Sequence, residues 1–158
     1  ESDLRMVESS LMKVKDLYIW DYFKSMEELI EHRRKTYKSF INHYKKYKGK
    51  RYIKVVLPNL PFRENEFSLV FVSHFLFLYD DRLDYEFHRK TIEELLKVSK
   101  EIRIFPVVGL NGKKSFFLDK IIDEFSKKAE VNVCKVPYEF IRGGNEMLRI
   151  LKGNDFEL

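Results

Sequence analysis

The stretch from residue 57 to residue 79, LPNLPFRENEFSLVFVSHFLFLY, decides how the chain is read. Pro58, Pro61 and a charged turn lead into FSLVFV at residues 67–72, a run of aromatic and β-branched residues that predicts a strand. The run lacks polar alternation. It therefore predicts burial on both faces, as in a parallel sheet covered by helices. Ser73 and His74 follow at once, which places a hydroxyl and an imidazole at the end of the strand.

Working outward from this strand, the pattern alternates. Residues 51–57 (RYIKVVL) read as a preceding strand that stops at Pro58, which has no N–H for a ladder. The first fifty residues read as helical. Leu4, Val7, Leu11, Val14 and Leu17 recur at helical spacing, and Trp20, Asp21, Tyr22 and Phe23 interrupt it. Ser25 and Glu28 form a capping box for a second helix ending near Gly49, with Met26, Leu29, Ile30, Tyr37, Phe40 and Tyr44 on one stripe. Downstream, Thr91 and Glu94 read as another capping box. Residues 102–108 read as a strand, 115–128 as a helix, and 131–136 and 147–152 as two further strands. Strand–helix alternation implies βαβ units with right-handed crossovers. The last two strands are separated by about ten residues that include Gly143-Gly144, too few for a helical crossover, so they read as an antiparallel hairpin.

The 158 residues are enough for one domain with a core: a helical segment over 1–50, an α/β portion over 51–152 and a tail over 153–158. An apolar content of 44% and an aromatic content of 15% exclude general disorder. The single cysteine, Cys134, excludes an internal disulfide and a cysteine-based zinc site, and reads as an inert, buried strand thiol. The four histidines lack metal-ligand spacing, so no metal site is assigned. No apolar run is long enough for a bilayer, and a cytoplasmic location is the expectation. The start at Glu1 reads as processing, trimming or a fragment. Of the net charge of +5, much sits between Arg33 and Arg51, which suits either a nucleic-acid surface or the solvated side of a Lys-rich helix.

Leu60-Pro61-Phe62, Asn65 and Phe67-Ser68-Leu69-Val70 resemble the L-P-F-x-x-N-x-F-D-x-V segment of class I S-adenosylmethionine-dependent methyltransferases. SHFLFLY at 73–79, RIFPVVGLNGK at 103–113 and YEFIRGGNEMLRI at 138–150 are similar to a bacterial branch of these enzymes. The resemblance covers residues 51–152. It implies a Rossmann-like sheet, mostly parallel, of order 3-2-1-4-5-7-6, with the final strand antiparallel. Ligands in such sheets bind beyond the carboxyl ends of the parallel strands. The resemblance implies S-adenosylmethionine as cofactor, with Asn59 and Leu60 near its adenine and Ser73 and Phe75 near the reacting methyl group. His74 would be the catalytic candidate, and Tyr79, Tyr138 and Asn145 would contact an unidentified methyl acceptor.

Two features of the family are missing. No Gly-x-Gly occurs, and no strand precedes residue 51, so the sheet lacks its first two strands, which would lie between the third and fourth. Ser68 also stands where the family has Asp. Three arrangements stay open: a fragment, a separate chain carrying the amino-terminal half, or direct pairing of the third and fourth strands. The alternative function is a non-catalytic module of the same fold that binds protein or RNA through its basic helix.

The remaining candidates each have a plain structural reading. His74 acts as a base or hydrogen-bond donor, or caps local backbone. His88 reads as a surface or helix-start residue, and His32 and His43 as solvent-facing. Asp80, Asp81 and Asp84 read as a solvated loop rather than a metal or acid–base cluster. Asn145 either reaches the rim or serves the turn. Trp20, Tyr22 and Phe23 read as core rather than a lid.

Overall fold

The computed structural model describes residues 9–153. The chain divides between Lys54 and Val55 into two compact units, close to the boundary expected at residue 50.

In the amino-terminal unit, residues 9–13 are helical and run into a single 3-10 turn, Lys15–Leu17. Leu4 and Val7 lie outside the described residues. The long helix α1 spans Met26–Tyr47. Ser25 caps it, its hydroxyl accepting from the Glu28 N–H at 3.2 Å, while the Glu28 carboxylate accepts from the Lys24 N–H at 2.8 Å. The expected box is thus closed one residue early. The helix ends at Lys48, and Gly49 follows at φ +77°. Phe23 is buried against the His32 ring, but Tyr22 is exposed. Tyr37 and Phe40, expected in the packed stripe, are exposed as well. His43, expected in solvent, is half-buried and bonded to the Tyr52 hydroxyl at 2.7 Å.

The carboxyl-terminal unit is an α/β sheet of order β1-β2-β4-β3. Its strands are β1 (Phe67–Ser73), β2 (Ser99–Phe105), β3 (Ala129–Lys135) and β4 (Glu146–Lys152). β1 and β2 are parallel, and β4 is antiparallel to both β2 and β3. By pairing the sheet is therefore mixed rather than mostly parallel, although only β4 runs against the rest. The expected terminal hairpin is present as β3 and β4. Helices α2 (Tyr85–Val98) and α3 (Leu118–Phe125) follow β1 and β2. Ile92, Leu95, Leu96, Leu118, Ile121 and Phe125 pack with Ile102, Ile104, Leu148 and Ile150 in one core. The Tyr85 hydroxyl donates to Glu124 and ties the two helices together.

Several expectations are corrected. Residues 51–57 form no strand; they carry only the isolated bridges Lys48↔Tyr52 and Val56↔Asn59. A strand needs a ladder partner, and none of the described strands pairs with this segment. β1 is not buried on both faces: Val72 is buried, but Phe71 is 63% exposed. The reason is the same, because β1 is an edge strand here. β2 stops at Phe105 rather than residue 108, since Pro106 cannot donate to the ladder. α2 does not begin at Thr91. Asp84 caps it, accepting from the Phe87 N–H at 2.8 Å, and Thr91 is buried within the helix. His88 is wholly buried rather than on the surface.

Candidate functional site

The parallel strands β1 and β2 both end at one rim of the sheet, and the local chemistry there starts with backbone. The His74 N–H donates to the Phe105 carbonyl at 2.6 Å, which extends the β1–β2 ladder by one bond. His74 then turns the chain with φ +54°, a left-handed conformation that costs a residue with a Cβ roughly 1–2 kcal/mol. Such strain is held where the surroundings impose it. The Ser73 hydroxyl and His74 Nδ1 are 2.8 Å apart, and the His74 ring meets the Phe105 ring edge-on at 5.4 Å. Phe105 in turn lies 6.1 Å from the Tyr138 ring.

Two apolar clefts flank the end of β1. One, of about 380 Å³, is lined by Ser73, His74, Phe105, Val136, Tyr138 and Met147, together with Phe71 and Val72. The other, of about 400 Å³, is lined by Leu57, Leu60, Phe62, Val70 and Phe75, among others, and shares Phe71, Val72 and Ser73 with the first. Leu60 is held over this second cleft because its N–H donates to the Glu94 carboxylate of α2 at 3.1 Å. Asn65, part of the L-P-F-x-x-N pattern, has φ +55° and turns the chain into β1, its N–H bonded to the Lys97 carbonyl at 3.0 Å.

The structure brings together Ser73, His74 and Tyr138 in one cleft and Leu60, Ser73 and Phe75 in the other. It does not bring the rest. Asn59 faces a separate polar hollow with Lys90, Glu93 and Glu94. Tyr79 closes a 3-10 turn, Phe77–Tyr79, its ring tilted against Phe75 at 6.4 Å and lying under the Arg82 guanidinium. Asn145 serves the hairpin. Its carbonyl accepts from the Val136 N–H at 2.9 Å and its amide donates to Glu139 at 3.3 Å, and the left-handed position in that turn is taken by Gly143.

The loop after β1 has a buried anchor that the residue pattern did not reveal. His88 on α2 places Nε2 2.9 Å from the Leu76 carbonyl and Nδ1 2.7 Å from the Asp84 carbonyl. Phe71, Phe105, Val136 and Met147 are further residues of the cleft that were missed. The strand register locates two of them, since Phe105 pairs with Ser73 and Met147 with Cys134. Among the described residues no group of acidic, histidine or cysteine side chains could hold a metal ion, and no helix is long and apolar enough to cross a membrane.

No family model matches the chain, and no solved structure matches it. The chain is similar to an uncharacterized protein of Methanocaldococcus jannaschii, with 45% identity over 151 residues. That match covers 95% of this chain and 66% of the relative, so the chain spans just under two thirds of the protein it resembles.

Proposed function

We propose that the chain is the carboxyl-terminal portion of a class I S-adenosylmethionine-dependent methyltransferase, acting on an acceptor not yet identified. The observation that carries this reading is the order β1-β2-β4-β3 with β4 alone reversed. It agrees with the 4-5-7-6 half of the order that the sequence resemblance implies. Ser73, His74 and Phe75 fall at the carboxyl end of a parallel strand, where ligands of such sheets bind.

The cleft beside Leu60 and Phe75 suits a flat aromatic ring, since its lining is almost wholly apolar with the Ser73 hydroxyl at one end. It contains no carboxylate for a sugar's hydroxyls. The residues present thus fit part of the cofactor, and the groups for its ribose and methionine have to come from outside this chain. When bound, the cofactor supplies a methyl group already activated by its sulfonium. This chain's own part is then positioning, with His74 available to take a proton from the acceptor. That role requires the tautomer in which Nδ1 donates to the Ser73 hydroxyl, leaving Nε2 as the basic nitrogen.

Calorimetric titration of S-adenosylhomocysteine into the chain tests the reading. Binding that weakens on mutation of Leu60 and Phe75 supports it. Absence of binding, even after the remaining part of the protein is supplied, rejects it. The alternative is an RNA-binding module. It draws on α1, where Lys35, Lys38, Lys45 and Lys46 are exposed around exposed Tyr37 and Phe40. Salt-sensitive RNA binding lost on changing Lys45, Lys46 and Lys48 to Glu would favour that alternative.

A further inference from the structure

The turn after α1 sets uncompensated charge beside a cluster of rings. Ten Lys and Arg stand between Arg33 and Lys54, and no Asp or Glu occurs from residue 32 to residue 63. A solvated helix face ordinarily mixes the two signs, as Glu31 does in its pairs with Arg34 and Lys35. Beyond those pairs, Lys38, Lys45, Lys46, Lys48, Lys50, Arg51 and Lys54 have no carboxylate partner among the described residues. The negative end of the α1 dipole accounts for Lys45, Lys46 and Lys48. It does not account for Lys50, Arg51 and Lys54, which lie past the helix.

Tyr52 is the centre of the ring cluster. Its ring meets Phe40 edge-on at 5.5 Å, His43 at 5.6 Å and Tyr44 at 5.2 Å. Its hydroxyl lies 2.7 Å from His43 Nδ1, and its carbonyl accepts from the Gly49 N–H at 3.0 Å, so side chain and backbone are both fixed. Two hollows share this ring, and both lie within the amino-terminal unit. One, of about 750 Å³, is lined by Tyr44 and Ile53 with Lys48, Arg51 and Lys54. The other, of about 560 Å³, is lined by Phe40 and His43 with Lys35, Thr36 and Ser39. The Arg51 guanidinium is steadied 4.5 Å from the centre of the Tyr47 ring. Neither hollow contains a carboxylate. Each offers aromatic surface for a base and cations for a phosphate, the combination that takes up a single strand.

We propose that the two hollows hold successive nucleotides of a single-stranded polynucleotide, with Tyr52 between the bases and Lys48, Arg51 and Lys54 on the phosphates. The site is the turn after α1 rather than the helix face. A duplex does not suit it, because paired bases are already stacked on one another and rings cannot reach them. An anionic membrane would engage the same cations, but it calls for an apolar face in place of hollows lined by rings and charge. Under the methyltransferase reading the bound strand is the class of acceptor, and only that clause rests on the reading; the site itself follows from the amino-terminal unit.

The test is fluorescence anisotropy of the full chain with a labelled oligouridylate of about ten nucleotides, beside oligothymidylate and a GC-rich RNA duplex of the same length. The expected result is a single strand bound about tenfold or more tighter than the duplex, with log affinity falling linearly against log salt. Changing Lys48, Arg51 and Lys54 together to Gln should reduce that slope by about 2, the value for three phosphate contacts. Tyr52→Leu should weaken binding about tenfold, while Tyr52→Phe, which keeps the ring, should bind like the wild type. Circular dichroism checks that each variant is folded. RNA and DNA strands bound alike support a site that reads phosphate and base; a preference for RNA supports one that also reads the ribose hydroxyl. A duplex bound as tightly as the single strand overturns the proposal, and so does unaltered binding by folded Tyr52→Leu. Phosphatidylserine vesicles that displace the oligonucleotide, with equal strength in Tyr52→Leu, also overturn it by assigning the charge to a membrane surface. Strand binding by a chain that takes no S-adenosylhomocysteine, even with the rest of the protein supplied, keeps the site and removes the methyltransferase reading. Binding of S-adenosylhomocysteine with no strand binding removes the site and keeps that reading.

Discussion

Arg103 of β2 and Arg149 of β4 sit directly opposite one another in the antiparallel ladder. Like charges in that position repel, and the Glu101 carboxylate bridges the pair while Glu130 also accepts from Arg149 at 3.1 Å. Glu101 accepts from Arg103 Nε at 2.6 Å and from Arg149 through both oxygens, at 3.1 and 3.0 Å. Hydrogen bonding from Arg149, then from Arg103, holds the Glu101 carboxyl below the usual carboxylate range despite its partial burial.

A pH dependence follows from that carboxylate. A pKa lower in the folded than in the unfolded state gives stability that is present above the unfolded value, about 4.3. It is lost as pH falls through the folded value. Glu101→Gln is expected to cost about 1–2 kcal/mol at neutral pH and to flatten the acid limb of the stability curve. Urea denaturation followed from pH 7 to pH 3 measures both. An acid limb identical in wild type and variant would remove Glu101 as its source.

His88 gives a second prediction. It is fully buried, with each ring nitrogen facing a backbone carbonyl, of Leu76 and of Asp84. His88→Ala leaves both carbonyls without this partner and opens a cavity, so stability should fall by about 2–4 kcal/mol. The loss should be local as well as global. Amides of residues 74–80 are expected to exchange faster in the variant under conditions where β4 stays protected, because His88 ties that loop to α2. Unchanged exchange in the loop would mean His88 only fills space.

These residues also mark how far the linear pattern could be read. The α/β class, four strands, the terminal hairpin and the rim position of Ser73-His74 were legible, because they rest on period and on proline and glycine placement. The burial of β1 was misread. An apolar run reports what a strand's surfaces prefer, while its covering depends on neighbours, and among the described residues β1 has a strand neighbour on one side only. His88 was missed for a related reason. One polar residue on a helix gives no sign of the two carbonyls that await it, since these come from its own preceding turn and from a loop twelve residues away. Asn59, Tyr79 and Asn145 were assigned by loop membership, and loop membership does not say which way a side chain points.

Thr91 offers a prediction of opposite sign. Its side chain is buried, and its hydroxyl has no hydrogen-bond partner. A buried hydroxyl without a partner carries its desolvation cost uncompensated. Thr91→Val keeps the shape and removes the polar atom, so stability should rise by about 1 kcal/mol in urea melts. A loss of stability instead would show that the hydroxyl is bonded in solution.

His74 separates backbone from side chain through two variants that both lack the imidazole. At φ +54° a Cβ is strained and a glycine is not. His74→Gly should therefore be more stable than His74→Ala by about 1 kcal/mol, measured by denaturation of the two side by side. Equal stability would mean the left-handed turn relaxes once the ring no longer packs at 5.4 Å on Phe105. Activity should not divide the two variants. Under the proposed reading, in which the imidazole takes a proton from the acceptor, both should lose methyl transfer to a similar extent, with no deepening of the loss as pH falls. Full turnover in His74→Gly would leave His74 a turn residue and pass the chemistry to other groups on the rim.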